Sequence, residues 1–177
     1  KATDAQGAVG SATVAFMVTG VNDAPTLSTP TTINLDDTYA TDSFASTFGL
    51  LSGTDVDHDT TLTYGIDGPN VVTGGSYTYS GTTFDISRTG IYGTLHVKSS
   101  NGAYLYVPDN AVVNAVNVAK SETFTVTTSD GSLSASTTLT VNIAGVQDSS
   151  TGTYTPGDVS INLGSYGKLI SPVHVDG

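Results

Sequence analysis

Apolar and polar positions alternate along most of this chain. Ser11–Thr19 (SATVAFMVT), Thr61–Ile66 (TLTYGI), Thr94–Val97 (TLHV), Tyr104–Val107 (YLYV), Thr123–Thr128 (TFTVTT) and Ser136–Ile143 (STTLTVNI) all repeat with a period close to two. A period of two puts neighbouring side chains on opposite faces of a strand, so each run predicts a β-strand with one face toward a core. The runs are rich in Thr, Val and Tyr, which suit a pleated surface, and Gly, Asn and Asp break them. Ser99-Ser100-Asn101-Gly102 separates two runs, and Asn-Gly is a strong hairpin signal. Only Asn110–Val118 (NAVVNAVNV), after Pro108-Asp109, offers a turn or two of helix. Short strands at regular spacing predict an all-β, Greek-key sandwich. A parallel α/β fold needs long amphipathic helices, and the pattern holds none.

A repeat organises these strands. Thr128-Ser129-Asp130-Gly131, an alternating run and Ala144-Gly145-Val146-Gln147-Asp148 close one unit. Ala2-Thr3-Asp4, an alternating run and Thr19-Gly20-Val21-Asn22-Asp23 close another, with roughly one residue inserted. Residues 1–23 therefore read as the last strand and linker of a preceding module, and residues 24–148 as one complete module. Residues 149–177 read as a linker and the start of a following segment, in which Val159–Leu163 (VSINL) echoes Thr31–Leu35 (TTINL). The chain begins inside this pattern with no charged leader and apolar run, as a piece of a longer protein would.

Charge narrows the partners. Five Lys and Arg against sixteen Asp and Glu give a net charge of −11, and every acid except Glu122 is Asp. Such a chain repels nucleic acid and anionic membranes, which both recruit Lys and Arg. Asp is a turn residue and a compact oxygen ligand, so the natural small partner is a hard cation. There is no cysteine, so no disulfide braces the fold, and bound metal is the usual substitute. No apolar run approaches the ~18 residues of a membrane-spanning helix.

Four stretches carry a family likeness: TGVNDAP (Thr19–Pro25), TDVDHDTTLTY (Thr54–Tyr64), YGTLHVKSSNGAYLYVPDNA (Tyr92–Ala111) and ETFTVTTSDGSLSASTTLTVNIAGVQD (Glu122–Asp148). They resemble the VCBS repeat, a cadherin-like module found in tandem in large bacterial surface proteins and exported RTX-type adhesins. The segment Gly68–Arg88 is longer than that pattern, Gln147 replaces the usual Asn, and no Ala-Pro follows Asp148. The resemblance implies a cadherin-like, immunoglobulin-like module outside the cell, adhesive or a spacer, with calcium bound where modules meet. Its partners would be adjacent modules of the same chain and a cell-surface or glycan receptor.

Asp55-Val56-Asp57-His58-Asp59 is the richest stretch for chemistry. Carboxylates at alternate positions of one loop can converge on calcium, which takes six to eight oxygens at ~2.3–2.6 Å. The loop is not an EF-hand, because Thr60 stands where Gly is needed and Ile66 where a bidentate Glu is needed. The cadherin-like resemblance implies instead that Asp55, Asp57 and Asp59 meet Asn22 and Asp23 of the linker and Asp130 of a late turn. The plainer alternative is that these Asp residues only cap turns. His58 is expected to face solvent. A second acidic group, around Asp36-Asp37, Asp109 and Asp148, belongs at the opposite pole, where the resemblance implies a site shared with the next module.

Catalysis has no footing. His58, His96 and His174 are scattered without zinc spacing, and there is no nucleophile elbow, cysteine nucleophile or phosphate loop. A carbohydrate-binding sandwich is the alternative, with Tyr77, Tyr79, Tyr104 and Tyr106 as stacking rings. Without Trp that platform is weak, and alternating tyrosines also pack across strands.

Overall fold

The computed structural model describes residues 1–57 and 60–147. Its elements are β1 (Ala2–Thr3), β2 (Val9–Gly10), β3 (Thr26–Leu27), β4 (Ile33–Asp36), β5 (Thr47–Leu50), β6 (Gly53–Thr54), β7 (Thr63–Asp67), β8 (Val71–Tyr79), β9 (Thr82–Thr89), β10 (Gly93–Val97), β11 (Ala103–Pro108), α1 (Asn110–Asn114), β12 (Lys120–Ser129) and β13 (Ser134–Ala144). A five-stranded sheet, β5-β11-β10-β9-β8, lies over a four-stranded sheet, β4-β13-β12-β7. The short pairs β1-β2 and β3-β6 join neither ladder, and Leu27 of β3 packs against the core. The chain crosses between the two larger sheets four times, after β4, after β5 (by way of β6), after β7 and after β11, so the fold is an all-β sandwich.

Period-two patterning builds the core. On the four-stranded sheet, Phe124, Val126 and Thr128 of β12 and Leu139, Val141 and Ile143 of β13 are buried at every second position. Leu95 and Val97 of β10, with Tyr104 and Tyr106 of β11, join the same cluster from the facing sheet. The apolar set that alternation marked is thus the inter-sheet layer. Two buried polar groups in this layer are satisfied, the first within the four-stranded sheet and the second across to the facing one. Thr128 donates from Oγ1 to the Thr63 carbonyl at 3.2 Å. The Tyr106 hydroxyl donates to Glu122 Oε1 at 2.7 Å, while Glu122 Oε2 accepts from Ile91 N at 2.8 Å. Burial, then Glu122 itself, push the Tyr106 phenol well above its ordinary range, so it stays a donor. The one glutamate of the chain therefore ties the two sheets together.

β13 is paired on both sides. It runs antiparallel to β12 from Ser134 to Ile143 and parallel to β4 from Val141 to Ala144. Its N-terminal end meets the Ser129–Ser134 hairpin, and its C-terminal end meets Asp36, so its eleven residues separate two poles of the sandwich.

Two expectations are corrected, and a long segment is explained. Ser11–Thr19 alternates like a strand, yet β2 ends at Gly10 and no ladder covers the rest, because no described strand lies beside it. The helix stops at Asn114 and does not reach Val118. Asp109 Oδ1 caps it through Ala111 N (3.1 Å) and Val112 N (3.2 Å), and the buried Val116 then leads away toward β12. The long Gly68–Arg88 segment is the β8–β9 hairpin. Its turn has positive φ at Ser80 (48°) and Gly81 (82°), the geometry that matches strand twist in a two-residue loop. Val159–Leu163 lies outside the described residues.

Leu139 has no exposed surface and packs between the sheets. Leu139→Ala is expected to cost about 2–5 kcal/mol, read as a lower urea midpoint with an unchanged slope.

Candidate metal centre at the linker pole

Strand pairing brings the acidic segments to one end. Thr26 pairs with Thr54, and their hydroxyls lie 2.8 Å apart, so the linker before β3 runs beside the loop after β6. Ser129 pairs with Thr63, which sets the β12–β13 turn next to the start of β7. Asn22-Asp23, Asp55–Asp57 and Asp130 therefore meet at the same pole, and buried Pro25 anchors the linker there.

Hydrogen bonds join the three segments. Asn22 Nδ2 donates to Asp130 Oδ2 at 2.8 Å and to the Asp23 carbonyl at 3.3 Å. The Asp23 backbone N–H donates to Asp57 Oδ2 at 2.7 Å. Asp57 N–H donates to Asp55 Oδ1 at 2.8 Å, and Thr60 Oγ1 closes the loop on the Asp57 carbonyl at 3.2 Å. Asp130 Oδ1 caps its own turn, accepting from Ser132 N and Leu133 N at 2.6 Å each. Turn capping and linker docking thus use opposite oxygens of Asp130. The Leu133 amide first, then the Asn22 side chain and the Ser132 amide, hold the Asp130 carboxyl below the usual carboxylate range.

One oxygen stands out. Asp55 Oδ2 is buried and has no hydrogen-bond partner among the described residues. A carboxylate oxygen out of water normally finds a donor or a cation, so this atom fits a hard ion better than turn capping alone. Of the expected ligands, Asn22, Asp55, Asp57 and Asp130 enter the network through side chains. Asp23 enters through its backbone, and its carboxylate makes no described hydrogen bond. Asp59 and His58 lie outside the described residues. Among the described residues, no three carboxylate or histidine side chains stand close enough to hold a metal between them. The linker's donors instead occupy Asp57 Oδ2 and Asp130 Oδ2.

The opposite pole holds a second orphan that the acidic count could not single out. Asp37 is buried and accepts Val146 N at 3.1 Å through Oδ2, while its Oδ1 has no partner among the described residues. Asp36 is exposed at the end of β4, and Asp109 is the cap of α1. Asp148 lies outside the described residues.

Sequence reasoning did not foresee an aromatic cluster on the outer side of the five-stranded sheet. Tyr77 stacks on the buried ring of His96 at 4.0 Å, and Phe84 lies 6.2 Å from the same ring. Burial lowers the His96 pKa, which keeps the ring neutral beneath the tyrosine. Tyr104 and Tyr106 are core residues, so only Tyr77 and Tyr79 of the four marked tyrosines present surface.

No family model matches the chain, and no curated protein matches it.

The linker tie sets a pH test. A folded pKa held low means that the Asp130 contribution is fully present above the unfolded value and is lost as pH falls through the folded one. Asn22→Ala removes one of the groups that lower it and leaves the Leu133 and Ser132 amides. The Asp130 pKa should rise toward, but not reach, its ordinary value, as carboxyl NMR titration would record.

Proposed function

We propose that this chain is a calcium-binding repeat module of an extracellular bacterial adhesin, non-enzymatic, in which the ion stiffens the link between modules. The observation that carries the reading is the convergence of Asn22-Asp23, Asp55–Asp57 and Asp130 at one pole, with the Asp55 oxygen left over. Asp55, Asp57 and Asp130, joined by Asp59 and by oxygens of Asn22 and Asp23, are the groups that would hold calcium. The ion would offset the mutual repulsion of these carboxylates and supply the positive partner that Asp55 Oδ2 lacks. Half-exposed sites of this kind in extracellular modules bind at ~10⁻⁴–10⁻³ M, so occupancy follows surroundings rich in calcium.

The VCBS resemblance supports the same reading through the order of its four stretches and the β-sandwich they form. Adhesion and a spacer role share this mechanics, since either uses an array that holds its length. A carbohydrate-binding role stands second. It draws on the exposed rings of Phe48 and Tyr79, which with Ser80 and Thr82 line a hollow of about 230 Å³. A glycan array tells the two readings apart.

Calcium at a hundredfold excess over its Kd should stabilise the module by about 2.7 kcal/mol, or roughly 5–10 °C in melting temperature, and EGTA should reverse this. Asp55→Ala with Asp57→Ala should abolish the calcium increment and the calorimetric binding heat. An equal loss of stability in calcium and in EGTA would show that these residues only shape the turn.

A further inference from the structure

We propose that the tip of the β8–β9 hairpin, residues 77–84, is a flap that closes over His96 on the outer face of the five-stranded sheet and is released in mild acid. The flap lies within Gly68–Arg88, the segment longer than the repeat pattern, and its action does not rest on the calcium reading. β9 stands between β8 and β10, so in a flat sheet about 9.5 Å separates the outer two strands. Tyr77 of β8 nonetheless stacks on His96 of β10 at 4.0 Å. Tyr79, Ser80 and Thr82 reach farther and share a hollow with Phe48 of β5, the opposite edge strand. The tip therefore lies across the face of the sheet.

Both strands of the hairpin swivel at the same level. Phe84 and Ile86 are two apart on β9, where a regular strand puts both side chains on one face. Ile86 packs on the inter-sheet core, whereas Phe84 joins Ala103 and Leu105 in a separate cluster on the outer side. Opposite this point, β8 carries Gly74 (φ 72°) and Gly75 inside the register shift between Thr73 and Tyr77. The β9–β10 ladder ends where Ile86 faces Val97. Beyond it the tip is held to the sheet by side chains and not by strand pairing. Such a tip can leave without breaking a ladder.

The group beneath the flap titrates. His96 is 8% exposed, faces Leu105 directly across the β10–β11 ladder, and has its Nδ1 buried with no hydrogen-bond partner among the described residues. A neutral ring leaves that nitrogen bare and keeps its proton on Nε2. Protonation puts an N–H there without an acceptor and a charge under an apolar cover. The Tyr77 face attracts a cation, but by less than such burial costs. No charge nearby offsets it. Asp85 of β9 accepts from Ser99 N at 2.8 Å and Ser99 Oγ at 2.5 Å, with Lys98 beside it, and Arg88 lies 5.4 Å over Phe124 in the inter-sheet layer. Tyr104 and Tyr106 of β11 face the inter-sheet core, Tyr77 and Tyr79 are the tip's own, and β5 has no titratable side chain. Burial alone lowers the His96 pKa. The closed flap is therefore fully favoured above the ordinary histidine value and loses ground as pH falls through the lowered one. Opening lets water reach Nδ1 and uncovers Ala103 and Leu105.

The test is NMR on the full chain in EGTA, from neutral pH into mild acid. Nuclear Overhauser contacts between the Tyr77 and His96 rings, and between the Phe48 and Phe84 rings, should disappear with the midpoint of the His96 titration. Contacts between Tyr106 and Phe124, 6.0 Å apart in the inter-sheet layer, should persist. His96→Phe, uncharged at every pH, should keep the Phe48–Phe84 contact throughout. Tyr77→Ala removes the cover and should move the His96 pKa up toward its ordinary value. Flap contacts that survive full protonation of His96, or that vanish only together with the Tyr106–Phe124 contacts, would overturn the inference. Loss of the Phe48–Phe84 contact at the same pH in His96→Phe, or an unmoved His96 pKa in Tyr77→Ala, would do the same.

Discussion

β13 is the strand on which the rest of the molecule depends, because both of its edges are paired and every second side chain in its second half is core. Eleven residues of extended chain separate the Ser129–Ser134 turn from the junction with Asp36. Its antiparallel partner carries Asp130 to one pole, and its parallel partner delivers Asp37 to the other. The two orphan carboxylate oxygens, on Asp55 and Asp37, lie at opposite ends of the same ruler. Burial at the centre therefore sets the spacing between the acidic ends.

Electrostatics then works against the fold at those ends. A net charge of −11 with five basic residues leaves the carboxylates few cations to pair with. Backbone amides take that place. Leu133 and Ser132 serve Asp130, Asp57 serves Asp55, and Asp23 serves Asp57. Amides donate hydrogen bonds but bring no net charge, so like-charge repulsion across the pole is only partly relieved. The proposed ion would complete what the amides begin, and such a link would be tight where calcium is plentiful and loose where it is scarce.

Much of this was legible because period-two burial leaves a mark in the sequence. TFTVTT and STTLTVNI are β12 and β13, and their alternate residues are the core. Ser11–Thr19 carries the same mark and forms no ladder, since alternation reports a face suited to burial and pairing also needs neighbours. β8 was hidden for the opposite reason. Its residues are nearly all exposed, and Gly74 (φ 72°) marks the register shift between Thr73 and Tyr77, so no periodic burial shaped its sequence. The grouping of Asn22, Asp23, Asp55, Asp57 and Asp130 at one pole was legible from the repeat and the resemblance. Which atoms meet was not. That Asp23 uses its backbone N–H, and that one oxygen of Asp55 is left buried, follow from three-dimensional packing.

The central claim is that the linker docks on the module's pole and that calcium tightens the docking. The Asp23 amide reports this directly, because its hydrogen bond to Asp57 Oδ2 exists only while the two segments touch. Amide hydrogen exchange at Asp23, measured by NMR on the full chain with calcium and with EGTA, is the decisive measurement. The account predicts slower exchange at Asp23 in calcium, while core amides such as Val141, if they exchange through local opening, change little. Equal exchange at Asp23 in both conditions would contradict it.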